Sequence, residues 1–146
     1  MSTNTSTERT AALVDAYYDS WKRGIASFDV ERVRGLLAPD LAFDGPIAGQ
    51  RTGAEPFLQG LGRFVGTISA FHPLQQIHTD TEAAAVYDCD LPGGRVRFAE
   101  FFRIAEGRIQ AITLLFDADR FQRLGGGSPG AAVCVGRTRV AESVRQ

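Results

Sequence analysis

Val96-Arg97-Phe98-Ala99-Glu100-Phe101-Phe102-Arg103-Ile104, then the turn Ala105-Glu106-Gly107, then Arg108-Ile109-Gln110-Ala111-Ile112-Thr113-Leu114-Leu115-Phe116, is the stretch that decides how this chain folds. Successive side chains of a β-strand point to opposite faces. The first segment therefore gathers Val96, Phe98, Phe102 and Ile104 on one face and both arginines, with Ala99 and Phe101, on the other. A turn this short, with a glycine in it, returns the chain antiparallel. The second segment again aligns Ile112, Leu114 and Phe116, so the pattern predicts neighbouring strands over 95–104 and 108–116 that share one apolar face. Glu100 alone breaks the alternation, because it falls on that apolar face. A carboxylate there costs several kcal/mol unless it is paired or protonated.

Working outward, the same period marks 68–78 and 82–90, the latter with Ala83, Ala85, Tyr87 and Cys89 on one face. The connection Leu91-Pro92-Gly93-Gly94 is short, so the last three strands read as an antiparallel meander. Before residue 68 the period lengthens. Leu13, Tyr17 and Trp21 recur at four-residue intervals with Val14 and Tyr18 beside them, an apolar stripe on a helix for which Gly24 is the stop. Asp29 can cap a second helix carrying Val33, Leu36 and Leu37, which ends before Pro39. Leu41 to Asp44 is then a short extended segment entering the turn Gly45-Pro46. Thr52-Gly53-Ala54-Glu55 has the capping-box pattern of a third helix, with Phe57, Leu61, Phe64 and Val65 on one side and Gly60, Gly62 and Gly66 weakening it. Asp117 or Asp119 caps a terminal turn. Helices first and strands afterward predict an α+β domain with helices packed on one face of a curved antiparallel sheet. Residues 1–6 read as a frayed tail, 7–124 as the domain, and 125–146 as a glycine-rich break followed by a tail too short to form a second core.

The chain has 146 residues, 44% of them hydrophobic, which is enough for one core. Sixteen basic residues are scattered among 17 acidic ones for a net charge of −1, with no basic run to grip phosphates, so neither nucleic acid nor a membrane surface is an expected partner. The polar start MSTNTSTERT is unlike a signal peptide, and the expected location is the cytoplasm. Cys89 and Cys134 lie far apart, and free thiols are expected. His72 and His78 are not at ligand spacing with either cysteine, and no metal is expected.

Several local signatures accompany this order of elements: Lys22-Arg23-Gly24 after an aromatic first helix, Leu36-Leu37-Ala38-Pro39-Asp40 at the exit of the second, Gly49-Gln50-Arg51-Thr52-Gly53 before the third, and FFRIAEGRIQAITLLFD at the end. In these the chain resembles the nuclear-transport-factor-2-like superfamily, which includes the SnoaL-like polyketide cyclases, ketosteroid isomerase and limonene epoxide hydrolase. The resemblance covers roughly residues 8–121. It implies a cone-shaped, cystatin-like α+β barrel with three N-terminal helices on the concave face of the sheet. Sheet-face homodimers are common among proteins of this kind, and Arg97, Phe101 and Arg103 are the residues expected at such an interface. The motifs mark the fold rather than the reaction.

Among these proteins ketosteroid isomerase offers the nearest functional parallel: an aspartate base with an oxyanion hole made by a tyrosine and a protonated carboxylic acid. Carried over, the resemblance puts the tyrosine at Tyr17, seven positions before Gly24, the base at Asp44, seven before Arg51, and the strand acid at Glu100. It departs from the pattern in that this acid is glutamate rather than aspartate. The physics is compatible: a carboxylate abstracts a proton α to a carbonyl while donors already in place meet the enolate oxygen. Glu100 between Phe98 and Phe102 would be held neutral by desolvation and could donate. Trp21, Phe43, Phe57, Phe64, Tyr87, Phe98, Phe102, Ile112 and Phe116 would line a pocket for a small hydrophobic substrate.

The expectation is thus a cofactor-independent isomerase or cyclase acting on a steroid- or polyketide-like carbonyl compound. Other readings stay open: a binding or dimerisation module without catalysis, epoxide opening by an acidic residue, Asp40 or a histidine as the base, and Glu100 simply paired with an arginine or histidine.

Overall fold

The computed structural model describes residues 5–126. The chain builds α1 (Ser6–Asp19), a 3₁₀ turn (Ile25–Ser27), α2 (Val30–Leu36), β1 (Leu37–Gly45), β2 (Gly49–Thr52), α3 (Ala54–Val65), β3 (Ala70–His78), β4 (Glu82–Leu91), β5 (Gly94–Ala105), β6 (Arg108–Phe116) and α4 (Ala118–Arg123). The six strands form one sheet in the order β2-β1-β6-β5-β4-β3. The predicted meander is there: β4 pairs antiparallel with β5, and β5 with β6, placing Glu100 opposite Ala85 on one side and Leu114 on the other. This is the α+β architecture expected, with one amendment. The sheet is mostly rather than wholly antiparallel, because β1 lies parallel to β6. The turn at Ala48 then reverses the chain to hang β2 on the outer edge, and α3 carries it back across to β3 at the far edge.

Pro73 has no N–H to give to a ladder and so belongs on an edge strand. In β3 it is followed by a register shift, after which pairing with β4 resumes at Gln75.

Several local expectations are corrected. The working capping box is at the start of α1, where the Thr5 hydroxyl accepts from the Glu8 N–H and Glu8 accepts from the Thr5 N–H. Thr5 and Ser6 therefore cap and open a helix instead of ending a frayed tail. The similar pattern at Thr52 does not cap α3: Thr52 is spoken for by β2, Gly53 (φ 110°) is the N-cap without a side-chain bond, and Glu55 turns to Arg34 instead. Helix α1 stops at Ser20, so Trp21 sits in the following turn, although it is fully buried. The extended segment expected at 41–44 starts at Leu37, and β2 was not anticipated as a strand. Gly125 and Gly126 belong to the folded body. The Gly126 N–H bonds the Phe121 carbonyl, and a Cβ at 126 would come within 2.4 Å of the Phe121 ring. The expected tail from 127 onward, Cys134 included, lies outside the described residues.

The core lies between the helices and one face of the sheet. Val96, Phe98, Phe102, Tyr87, Cys89 and Ile112 meet Tyr17, Tyr18, Trp21, Val33, Leu58, Leu61 and Val65 there. Burying side chains of this size contributes about 1.5–3 kcal/mol each. On the opposite face Arg97 holds Asp88 through two bonds of 2.8 and 3.1 Å, and Phe101 and Leu115 are exposed.

Candidate functional site

Strand alternation delivers Glu100 to the inner face of β5, where it is 2% exposed. Its partners come from two elements. Tyr17 and Tyr18 are consecutive on α1 and about 100° apart around the helix, so they approach from two directions. Tyr87 lies on β4, opposite Phe98, and reaches Glu100 diagonally along the shared face. The Tyr18 hydroxyl donates to Glu100 Oε1 at 2.7 Å and the Tyr87 hydroxyl donates to the same oxygen at 3.1 Å, whereas Tyr17 donates to Oε2 at 3.4 Å. Oε1 is thus doubly anchored and Oε2 is loosely held. The phenol rings are fixed by edge-to-face contacts: Tyr17 with Tyr18 at 5.1 Å and with Phe102 at 5.5 Å, and Tyr18 with Tyr87 at 5.5 Å.

Among the described residues no cation bonds Glu100, so its reading as half of an ion pair with arginine or histidine is overturned. His72 bonds Asp90 and Arg95, and His78 bonds Gln76, both on β3 away from the cluster. Desolvation pushes the Glu100 carboxyl up to about 7, and the three phenol donors restrain that rise by favouring the charged form. Burial and the neighbouring carboxylate push all three phenols well above their ordinary value, so they remain O–H donors. The Trp21 N–H is near enough to Tyr17 to ease its ionisation slightly, but it reaches hydrogen-bond geometry with no described group.

Tyr17, Tyr87 and Glu100 form part of the wall of a cavity of about 370 Å³, within the size range of small-molecule sites. Trp21, Phe43, Phe57, Phe64, Phe98 and Phe116 line it as expected, joined by Leu61, Leu114 and Phe121. Phe102 and Ile112 do not: they lie behind the wall, in the core. Phe121 was missed because it comes after the last strand. Its sequence signal is Asp117, which caps α4 by accepting from the Arg120 N–H. Arg51, Arg63, Gln59 and Gln122 add polar groups to the lining.

Asp44 is not brought to this site. Its neighbour Phe43 pairs with Ile112 and shares the inner face, so Asp44, paired with Thr113 on β6 and Gln50 on β2, turns outward and is exposed. It does not line the cavity. Asp40 is also exposed and accepts from Gln110. Two of the three expected catalytic residues thus converge, and the third faces away. Tyr18, for which the sequence predicts only a place in the helix stripe, makes the shortest bond to Glu100.

Burial pushes the Cys89 thiol far above its ordinary range, which removes it as a nucleophile. No group of three or more histidine, cysteine, aspartate or glutamate side chains gathers as metal ligands among the described residues. None of the described helices is long and apolar enough to cross a membrane.

The SnoaL-like domain family matches residues 14–112. A steroid delta-isomerase from Pseudomonas aeruginosa superposes with a TM-score of 0.70 at 19% identity, covering 88% of this chain and 96% of that one. A protein from Kribbella flavida superposes with a TM-score of 0.70 at 23% identity, covering 77% and 90%. A bacterial protein with a cystatin-like fold from Silicibacter pomeroyi does so with a TM-score of 0.65 at 19% identity, covering 82% and 84%. At such identities the likeness is one of fold. No curated protein matches the sequence significantly.

Proposed function

Starting from a chain that belongs to the SnoaL-like domain family, in the nuclear-transport-factor-2-like superfamily, we propose a cofactor-independent isomerase or cyclase that moves a proton α to a carbonyl of a small hydrophobic compound, with Glu100 as the base. The observation that carries this reading is a buried glutamate with no cationic partner among the described residues, three phenol donors and a carboxyl near 7, in the wall of an apolar cavity. A base works best when its pKa lies near the operating pH. Asp44, expected as the base, has no part in the proposal because it faces the other way.

Oε2 takes the α-proton, since Oε1 is saturated by Tyr18 and Tyr87. Once Oε2 is protonated it accepts less well from Tyr17, and the Tyr17 O–H is released toward the enolate oxygen. The same proton is then returned to another carbon of the enolate, giving the isomer and restoring the carboxylate. Cyclisation follows if the enolate carbon instead attacks a second carbonyl of the substrate, with the proton delivered to the new alkoxide.

The test uses a β,γ-unsaturated cyclic ketone, whose conjugated isomer is read by ultraviolet absorbance. Glu100→Gln is expected to lower kcat/KM at least a hundredfold, while Asp44→Asn leaves it within twofold. Ligand binding in the cavity without turnover of any carbonyl probe would make this a binding module instead. As part of the same proposal the outer sheet face, with Phe101 exposed between Arg97 and Arg103, carries a homodimer. Light scattering on the wild type and Phe101→Glu tests that point.

A further inference from the structure

The apolar cavity carries an unbalanced charge. Glu100 is its one carboxylate, and Arg51 and Arg63 both contribute to its lining among the described residues. Most of the other described arginines are engaged by acids: Arg23 and Arg32 with Asp19, Arg34 with Glu31 and Glu55, Arg95 with Asp90, Arg97 with Asp88 and Arg123 with Asp119. The two cavity arginines have no such partner among the described residues. Arg63 lies in the last turn of α3, half-buried, and its Nε is shielded from solvent without a hydrogen-bond partner. Arg51 reaches the cavity from β2 because it pairs with Phe43 and shares its inward face. Its Nε is tied to the Ala48 carbonyl at 2.9 Å, which fixes the stem and leaves the terminal nitrogens unbonded by described groups.

A favourable helix-end charge would account for a cation in the last turn of α3. It would not account for burying a guanidinium N–H without an acceptor, which is costly for any donor and more so for a charged one. A ligand carboxylate in the cavity can meet the terminal nitrogens of Arg63, which bond no described group, since guanidinium and carboxylate match as paired donors and acceptors. Gln59 and Gln122 in the same lining can add neutral donors.

We propose that the substrate is a hydrophobic carboxylate, an oxo acid whose anionic end is held by Arg63, with Arg51 contributing positive field, while its apolar body fills the cavity toward Glu100. The inference rests on the reading of this cavity as the substrate site. It adds the charge class of the substrate, which separates this site from one built for a neutral polycyclic ketone.

The single tryptophan of the sequence, Trp21, lines the cavity and reports on its occupancy by fluorescence. The probes are 4-phenylbutanoate and its uncharged methyl ester, titrated into the full chain in low salt and confirmed by calorimetry. The wild type is expected to bind the anion at least tenfold more tightly than the ester, and added salt should shrink that ratio. Arg63→Gln should bring the ratio close to one, Arg63→Lys should keep part of it, and Arg51→Gln should reduce it less. Equal affinity of the wild type for the two probes, or no binding of the anion at millimolar concentration, overturns the proposal whatever the variants do. So does a ratio unchanged in a folded Arg63→Gln. Turnover separates the two readings: Glu100→Gln should retain the preference for the anion while losing turnover, whereas a wild type that prefers the anion but isomerises no carbonyl probe would sink the proposed reaction and leave the substrate class standing.

Discussion

Tyr18 donates the shortest bond to Glu100, 2.7 Å to Oε1, although it is the one of the three phenols that does not share the cavity wall with that carboxylate. Two adjacent residues of one helix thus divide the work. Tyr18 and Tyr87 hold the carboxyl group in place, and Tyr17, at 3.4 Å from Oε2, is free to turn toward a ligand.

If Glu100 is the base, its charged form is the active one. Because desolvation raises its carboxyl to about 7, kcat/KM should rise as pH increases and level off above an inflection near 7 in the free enzyme. A profile flat from pH 5 to 9 would mean that this group does not titrate in the reaction.

Removing Tyr18 should move that inflection. Its bond is the largest of the three restraints on the Glu100 carboxyl, so Tyr18→Phe shifts the inflection to higher pH, and Tyr87→Phe does so to a smaller extent. Tyr17→Phe should instead depress the plateau by about a hundredfold to a thousandfold through loss of an oxyanion donor, with the smallest displacement of the inflection. Rate profiles of the three variants, with 13C chemical shifts of the carboxyl group, separate these outcomes.

Stability carries the same group with a definite sign. The folded-state carboxyl titrates near 7, above its value in the unfolded chain. Between the two values the native protein holds a proton that the unfolded chain has released. Stability from this group is therefore complete below the unfolded value, falls as pH rises toward 7, and is constant beyond. The drop amounts to about 3 kcal/mol at 1.36 kcal/mol per unit. Glu100→Gln lacks this dependence, so its stability relative to wild type should increase between pH 5 and 8 in urea titrations. A constant difference across that range would show that Glu100 is not desolvated as described.

The end of the described chain also shapes the cavity. Gly126 packs so close to Phe121 that a Cβ would sit 2.4 Å from the ring, and both residues line the cavity. Gly126→Ala should cost about 1–3 kcal/mol, as overpacking does, and should weaken binding of apolar ligands by displacing the ring. Unchanged urea midpoint and ligand affinity would mean that this turn relaxes freely.

Much of the fold was legible because it rests on local regularities. The two-residue alternation in β5 and β6 and the four-residue recurrence in α1 are properties of consecutive side chains, and both survived into the structure. The capping motifs show where local reasoning stops. Thr5 and Thr52 head the same pattern, yet only Thr5 caps, because Thr52 is already committed to pairing with Ala42.

The candidate site divides along the same line. That Glu100 shares a face with Phe98 and Phe102 follows from the parity of positions in one strand, and the sequence by itself determined it. Which way Asp44 points was decided by tertiary structure alone: β1 joins β6 in parallel with Phe43 beside Ile112, and a shift of one residue would have exchanged the inner and outer faces. Likewise, only the docking of α1 against β4 and β5 could choose Tyr18 to anchor Glu100, since a helix stripe states which residues face inward and not which atom each will meet. The charges of Arg51 and Arg63 are plain in the sequence. That no described carboxylate answers them there, in an otherwise apolar cavity, depends on where α3 and β2 come to rest against the sheet.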